Sequence, residues 1–202
     1  LMLDGEVLTG GAVGVAIGGY DVIPIVSQGC VPIGQTWTIT KVANGWIESI
    51  GNRPAIEIML EAVNGLDPDL RAAASRNLLI GLAADEQRQD YQRGDFLIRP
   101  INGFDQTRGA IAVEGGARAG QTAQFQLRDA AAGDLDLARA LNHAKTWLNR
   151  RRPIGGVLCA GESRGASLFG TSHHDAIAIA KSLGSPMIAG CFSAAEFGPV
   201  GL

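Results

Sequence analysis

The chain has 202 residues, of which 46% are apolar, and this is enough for one substantial hydrophobic core or two small ones. Its 17 basic and 20 acidic side chains are spread along the sequence, and the formal net charge of -3 excludes a basic face for nucleic acid or an anionic membrane. No segment approaches the roughly 18 consecutive apolar residues of a membrane span, and we expect a cytoplasmic protein.

The beginning of the chain is predicted to be β structure. Residues 12–17, 21–27 and 37–50 are rich in Val, Ile, Thr and Trp, and glycines separate the three stretches. Within the third stretch, Asn44-Gly45 is the strongest short hairpin signal and is flanked by apolar residues. An antiparallel meander is therefore expected.

Two helices and a short strand are predicted next. Asn52 is a candidate N-cap, Pro54 suits the first turn and Gly65 suits the end of a helix. Residues 67–77 fit a second helix, and the apolar run at 78–84 is interpreted as a strand. The apolar face of the first helix is predicted to contain Ile56, Leu60 and Val63.

The middle of the chain predicts three more strands and a long helix. Residues 95–104 and 109–130 alternate between apolar and polar side chains. In the last of these strands Phe125 and Leu127 share one face, and Arg128 shares the other with Gln124 and Gln126. The helix is predicted from about 134 to 150, with an apolar stripe of Leu137, Leu141, Ala144 and Leu148.

The last part of the chain has the order strand, helix, strand. The segments are residues 155–160, 174–183 and 186–192, and Gly184 is expected to end the helix. Because strands otherwise come in clusters, the predicted class is α+β with mostly antiparallel sheets and helices packed outside. A sheet covered on one side and an αββα sandwich both fit this pattern.

Residues 161–165 spell G-x-S-x-G, which marks the nucleophile of many serine hydrolases. A catalytic serine requires a histidine base and a following helix, but Gly170 leaves only a short segment after Gly165. His173 and His174 lie only about ten residues downstream, and His143 is the remaining histidine. A hydrolase with a Ser163 or Cys159 nucleophile is therefore kept as an alternative and not as the main hypothesis.

The soft metal ligands are scattered along the sequence. Cys30, Cys159 and Cys191 lack the paired spacing of a zinc site or a disulfide framework, so buried free thiols are predicted. Asp175 or Ser172 is expected to cap the helix that begins near His174. We expect no metal and no cofactor.

Charged and polar side chains at strand ends are the best candidates for a binding site. One interpretation is structural, with ion pairs such as Arg128 with Glu196 stabilising the fold. The other is functional, with these groups and Gln28 lining a pocket for a small polar ligand that has a carboxylate and an amine. The candidate ligand-binding residues are Arg99, Asn102, Arg128, Asp129, Arg164 and Glu196.

Six motifs occur in the order that is typical of FIST (F-box and intracellular signal transduction) proteins, and the chain resembles that family over nearly its whole length. The motifs are VSQGCVPIG, LIRPINGFD, GQTAQFQLRDA, ESRGASLFG, HDAIAIAKSLG and MIAGCFSAAEFGPVG. The resemblance implies the tail of an N-terminal domain at residues 1–35 and a C-terminal domain at 36–202. We expect the C-terminal domain to be truncated at its end and the chain to be part of a longer protein.

The chain departs from the family pattern in two places. The family loop resembles C-x-G-R-G, which would align a cysteine with Gly161 and a glycine with Ser163. The closing motif resembles G-E-x-G-P, and here an alanine precedes Glu196. The resemblance carries over to Glu196 itself and to Arg128, Asp129 and Arg164.

The resemblance implies a sensory domain of a signal transduction protein that binds amino acids or related polar metabolites and has no catalytic residues. The expected partners are a small polar ligand and a signalling protein, without nucleic acid or membrane. A protein-interaction module that has lost its ligand is a further alternative.

Overall fold

The computed structural model describes residues 2–88, 90–194, 196, 198 and 199. Its first elements are two short antiparallel strands, β1 (Met2–Leu3) and β2 (Glu6–Val7). Residues 12–27, all of them described, contain neither helix nor strand, so the strands predicted at 12–17 and 21–27 are wrong. A strand is completed by pairing with another strand, and none of the described strands pairs with this stretch.

The predicted hairpin at Asn44-Gly45 is present. It joins β3 (Cys30–Ala43) to β4 (Trp46–Ile50), which pair antiparallel. Asn44 has a φ of +50° and Gly45 a φ of +80°, as a two-residue type I′ turn requires. Asn and Gly tolerate this left-handed region best, which is why this turn is evident from the sequence.

The main sheet closes into a barrel. Its order is β3-β9-β6-β7-β8-β4-β5, every neighbouring pair is antiparallel, and β3 also pairs with β4. The predicted antiparallel sheet is confirmed. It is a closed barrel, and not the open sheet covered on one side or the αββα sandwich that the sequence pattern also fitted. The remaining strands are β5 (Arg53–Pro54), β6 (Leu78–Ala83), β7 (Phe96–Asp105), β8 (Ala110–Val113) and β9 (Thr122–Arg128).

The barrel interior is the main hydrophobic core. Inward-facing side chains alternate with outward-facing ones along each strand, as expected for a pleated sheet. Phe125 and Leu127 share the inner face of β9, as predicted. The most deeply buried large side chains are Phe125, Ile39, Ile47, Ile50, Ile58, Ile80, Ile111 and Leu127.

The first two helices, α1 (Ala55–Asn64) and α2 (Pro68–Asn77), follow β5. The N-cap prediction for α1 is wrong, because Asn52 lies in the turn before β5 and no side chain caps the helix. Of the predicted apolar face of α1, Ile56 and Val63 pack against the core, whereas Leu60 is exposed. The fully buried residues of the helix are Ala55, Ile58 and Met59. For α2 the predicted bounds are close to those observed.

The long helix α3 (Ala130–Leu148) begins earlier than predicted. The Asp129 carboxylate Oδ2 accepts a hydrogen bond from the Ala132 backbone N–H at 3.0 Å, so Asp129 is the N-cap. The predicted stripe is present, with Leu137, Leu141 and Ala144 buried. No helix among the described residues is long and apolar enough to cross a membrane.

The predicted strand-helix-strand unit is present after α3. Strands β10 (Gly155–Gly161) and β11 (Met187–Ser193) pair in parallel and form a separate two-stranded sheet. Helix α5 (His174–Leu183) connects them and ends at Gly184, which has a φ of +79°. Between β10 and α5 lie a 3-10 turn (Glu162–Arg164) and the short helix α4 (Ala166–Phe169).

Candidate functional site

The start of β3 and the end of β9 form one side of the candidate site. Cys30 lies directly opposite Arg128 in the antiparallel register, and the Cys30 side chain is buried. The residue before it, Gly29, has a φ of +65°, and its backbone N–H donates to Asp136 Oδ2 at 3.0 Å. Ser27 Oγ donates to the same carboxylate oxygen at 3.1 Å. Asp136 therefore fixes this segment against α3.

Arg164 enters the site from the turn after β10. Its Nε and Nη2 atoms donate to the two carboxylate oxygens of Asp175 at 2.8 and 3.0 Å, and the Arg164 side chain is only 9% exposed. The remaining nitrogen, Nη1, is buried and has no hydrogen-bond partner among the described residues. A Cβ on Gly29 would lie 2.6 Å from Nη1 and 3.2 Å from the Cα of Gly133. Glycine at position 29 therefore makes room for the guanidinium group.

Asp175 is the centre of a short polar chain. Its Oδ1 also lies 2.9 Å from His174 Nδ1, and His174 Nε2 lies 2.5 Å from Asp134 Oδ1. Burial raises the pKa of Asp175, but the hydrogen bonds from Arg164 and His174 outweigh this effect, and the net pKa lies below that of an ordinary aspartate. The predicted cap of α5 by Asp175 or Ser172 is wrong, because no side chain caps this helix and Asp175 binds Arg164.

Aromatic contacts support this polar chain. The Phe169 ring is stacked on the His174 ring, with 3.6 Å between centroids and an interplanar angle of 5°. The guanidinium carbon of Arg164 lies 5.4 Å from the centroid of the Phe169 ring. A Cβ on Gly133 would lie 3.0 Å from Phe169 Cζ, so α4 is packed closely against α3. These contacts hold the Arg164 side chain in one orientation.

Arg128 provides the second guanidinium group of the site. Its Nη1 atom contacts the hydroxyl of Ser163, and its Nε atom is buried without a hydrogen-bond partner among the described residues. The ion pair considered between Arg128 and Glu196 is not formed, and Glu196 makes no ion pair with a described residue. The contact with Ser163 brings the end of β9 to the turn that contains Arg164.

Glu196 lies at the same end of the molecule as this turn. A Cβ on Gly161 would lie 2.8 Å from Glu196 Oε1, so the carboxylate sits against the last residue of β10. Gly161 is opposite Ser193 at the end of β11, and Ser193 Oγ is buried without a partner in the described part of the chain. The carboxyl ends of parallel strands are where ligands bind in many α/β proteins.

Two of the predicted site residues lie elsewhere. Arg99 is opposite Ile80, which faces the barrel interior, so Arg99 lies on the inner face of the sheet, whereas Arg128 lies on the outer face. Asn102 is exposed on β7 at a register irregularity. The structure therefore brings Arg128, Arg164, Asp129 and Glu196 to one end of the molecule and leaves Arg99 and Asn102 apart from it.

The G-x-S-x-G segment does not have the surroundings of a hydrolase nucleophile. Ser163 lies in the 3-10 turn, and α4 ends after four residues at Gly170, which has a φ of +67°. No histidine in the described part of the chain hydrogen-bonds to Ser163, and His143 instead accepts from the Trp147 indole N–H at 2.9 Å. The contact of Ser163 is Arg128, whose guanidinium group cannot act as a base.

Cys30, Asp136 and Asp175 belong to the site but were not predicted as site residues. Burial raises the pKa of the Cys30 thiol, and the nearby charges of Arg128 and Arg164 offset this only in part. The motif VSQGC was visible in the sequence, but nothing in it indicates that Cys30 would face two arginines. The predicted pocket residue Gln28 donates from Nε2 to the Phe96 carbonyl oxygen at 2.7 Å.

A separate groove of about 310 Å³ lies between α3 and α5. It meets the polar chain at Asp134, whose carboxylate contacts His174. Its walls are mainly aliphatic, and none of the six candidate ligand-binding residues lines it. The lining residues are Asp134, Leu137, Ala138, Leu141, Asn142, Ala178 and Ser182.

Comparison with known sequences gives matches over the whole chain. Residues 1–53 match the FIST N domain and residues 55–199 match the FIST C domain. An uncharacterized protein of Mycobacterium tuberculosis strain CDC 1551 / Oshkosh is 42% identical over 200 residues, which cover 99% of this chain and 52% of that protein. An uncharacterized protein of Mycobacterium bovis is 40% identical with the same coverage. The chain thus spans about half the length of these relatives, and no solved structure matches it.

Proposed function

The chain belongs to the FIST family, whose domains are sensory modules of signal transduction proteins, and we propose that it binds a small polar metabolite such as an amino acid. The site that we propose is the end of the molecule where Arg128, Arg164 and Glu196 lie around the turn that follows β10. In this proposal the protein reports the presence of the metabolite to a signalling partner and catalyses no reaction.

The observation that supports this proposal is that two unsatisfied guanidinium nitrogens lie on either side of the turn after β10; a third among the described residues, Arg99 Nε, lies apart from them on the inner face of the sheet. Arg128 Nε and Arg164 Nη1 are both buried without a hydrogen-bond partner among the described residues. Buried polar groups are normally hydrogen-bonded, and leaving one unsatisfied costs about 1–3 kcal/mol. A carboxylate is the group that arginine binds best, so a ligand carboxylate near these atoms would recover that free energy.

The charge balance of the site also favours an anionic ligand group. Asp175 neutralises Arg164, and Arg93 lies 3.4 Å from the carboxylate of Asp136. By contrast, Arg128 has no ion pair with any carboxylate in the described part of the chain. The Arg128 guanidinium group at the end of β9 therefore has no carboxylate partner among the described residues.

Glu196 complements this positive charge with a negative one. It is exposed, and its Oε1 lies against Gly161, next to the turn that contains Ser163. In our proposal Arg128 binds the ligand carboxylate and Glu196 binds the ammonium group. This arrangement selects amino acids over simple carboxylic acids.

A thermal-shift screen followed by calorimetric titration tests the proposal, with the free amino acids as ligands and the matching carboxylic acids without the amine as controls. We expect Arg128→Gln to weaken amino acid binding about tenfold or more, because a hydrogen bond to a charged group contributes about 1.5–3 kcal/mol. Arg76→Gln, an exposed position on α2, should leave the affinity unchanged. Glu196→Gln should weaken binding of the amino acid but not of the acid without the amine.

Two results would contradict the proposal. One is an unchanged affinity in folded Arg128→Gln. The other is the absence of any stabilisation by the amino acid panel, both in this chain and in the full-length Mycobacterium tuberculosis relative. Labelling of Ser163 by a fluorophosphonate probe would instead favour the hydrolase alternative.

A further inference from the structure

Two cysteines lie directly opposite each other in the two-stranded sheet. The register of β10 and β11 pairs Cys159 with Cys191, and both cysteines are free and exposed. The sequence had predicted buried thiols at these positions, so this prediction is wrong for both. Thirty-one residues separate them in the chain, which is why their spacing did not suggest a pair.

The geometry of a parallel sheet brings these two thiols within reach of each other. Register partners on neighbouring strands point to the same face, and the strands are about 4.8 Å apart. Disulfide bonds form between residues whose Cα atoms are about 4.4–6.8 Å apart. The Cys159–Cys191 bond therefore needs rotation of the two side chains and only a small adjustment of the backbone.

The face of the sheet that contains both cysteines is open. Val157 and Met187 lie on the same face by alternation, and they are 79% and 81% exposed. Small thiols and disulfides in solution therefore have access to Cys159 and Cys191. This access is needed for thiol–disulfide exchange.

The third cysteine has a different environment. Cys30 is 3% exposed, its Sγ donates to the Gln28 carbonyl oxygen at 3.4 Å, and burial raises the pKa of its thiol. It is also on β3 of the barrel, so neither of the other cysteines is its register partner. Only Cys159 and Cys191 are placed for an intramolecular bond.

We propose that Cys159 and Cys191 form a reversible disulfide by exchange with a low-molecular-weight disulfide. The thiolate of one cysteine attacks a sulfur of the small disulfide, and a mixed disulfide forms as one small thiolate leaves. The second cysteine then attacks the protein sulfur of that mixed disulfide and releases the second small thiolate. The protein loses two electrons and the small disulfide gains them, and the two cysteine protons end on the two small thiols.

The proposed disulfide lies close in the chain to the turn that contains Arg164. Cys159 is followed by Ala160 and Gly161, and the 3-10 turn begins at Glu162. A disulfide would fix the relative positions of β10 and β11 immediately before this turn. The proposal does not depend on ligand binding, since it rests only on the register and exposure of the two cysteines.

Incubation of the folded chain with oxidised glutathione, followed by alkylation and tryptic peptide mapping, tests the proposal. Trypsin cleaves after Arg164 and Lys181, between the two cysteines, so the disulfide would join two separate peptides. We expect to detect this disulfide-linked pair of peptides, and we expect dithiothreitol to separate it into the two peptides. Cys30 should be alkylated only after the protein is unfolded. Cys30→Ser should give the same joined pair.

Single serine variants provide the matched controls. In Cys159→Ser and in Cys191→Ser, the reaction should stop after one glutathione molecule is attached to the remaining exposed cysteine. The proposal would be overturned if the wild-type chain kept glutathione on both cysteines without a joined pair. It would also be overturned if the oxidised product were a disulfide-linked dimer or contained Cys30 in the bond.

Discussion

Arg164 uses its guanidinium group in two ways. Nε and Nη2 bind the carboxylate of Asp175, whereas Nη1 has no partner among the described residues and lies against Gly29. The bidentate contact fixes the plane of the guanidinium group and thereby the position of Nη1. One residue thus attaches α5 to the turn after β10 and presents a donor to the start of β3.

The buried pair of Arg164 and Asp175 predicts a large effect of a small substitution. We expect Asp175→Asn to lower the free energy of unfolding by about 3 kcal/mol, because the arginine charge is left buried without its partner. Urea denaturation near neutral pH measures this change. The matched control is Asp90→Asn, at an exposed position, which should cost less than about 0.5 kcal/mol. Similar losses in the two variants would contradict the prediction.

The same pair makes stability depend on pH in the acid range. The pKa of Asp175 is lowered in the folded state, so ionised Asp175 stabilises the fold above the ordinary aspartate pKa of about 3.9. This contribution is lost as the pH falls from there through the lowered pKa. The difference in unfolding free energy between wild type and Asp175→Asn should therefore shrink below about pH 4. A difference that grows on acidification would show that the pair does not act in this way.

At the scale of elements, the start of α3 connects the helix to the candidate site. Asp129 is the residue between β9 and α3, and its carboxylate caps the helix by accepting a hydrogen bond from the Ala132 N–H. Gly133 and Asp136 are both in the first two turns of α3. Gly133 lies against the Phe169 ring, and the Asp136 carboxylate accepts from the Gly29 N–H. The position at which α3 begins therefore determines which side chains meet the start of β3.

The cap makes Asp129 testable separately from any role in ligand binding. We expect Asp129→Ala to lower the free energy of unfolding by about 1 kcal/mol, because one helix N–H loses its acceptor. Asp129→Ser keeps an acceptor and should lose only a few tenths of a kcal/mol. Thermal or urea unfolding measures both. If the serine variant were as unstable as the alanine variant, the charge of Asp129 and not its capping bond would be the important feature.

Elements with a local signal were predictable from the sequence. The Asn44-Gly45 turn, the Gly184 stop and the apolar stripe of α3 each depend on a few residues close together in the chain. Residues 12–17 and 21–27 have strand-like composition, yet they form no strand. A strand is completed by hydrogen bonds to a distant segment, and composition does not show whether that segment exists.

At the scale of the whole molecule, one barrel unites the two regions that match different family domains. β3 and β4 lie within residues 1–53, whereas β6, β7, β8 and β9 lie within 55–199. β3 pairs with β4 on one side and with β9 on the other, and so it closes the barrel. These two regions therefore share one hydrophobic core.

This shared core predicts that a change in the first region destabilises the second. Ile39 on β3 is 0% exposed, and we expect Ile39→Ala to lower the free energy of unfolding by about 3 kcal/mol through lost burial and a cavity. Ile17→Ala, at an exposed position outside the barrel, should cost less than about 0.5 kcal/mol. Hydrogen exchange should show faster exchange in β6 and β9 for Ile39→Ala. Faster exchange confined to β3 and β4 would contradict a single core.

The sequence by itself determined the α+β class, most helices and strands, and the family, because these depend on local patterns and ordered motifs. Only the tertiary structure decided that the sheet closes, that Arg99 lies on the inner face, that Asp175 binds Arg164 and that Cys159 lies opposite Cys191. Each of these four facts depends on strand register or on packing between distant segments. Register is decided by the free energy of the whole assembled sheet, and the short-range pattern of any one strand does not contain it.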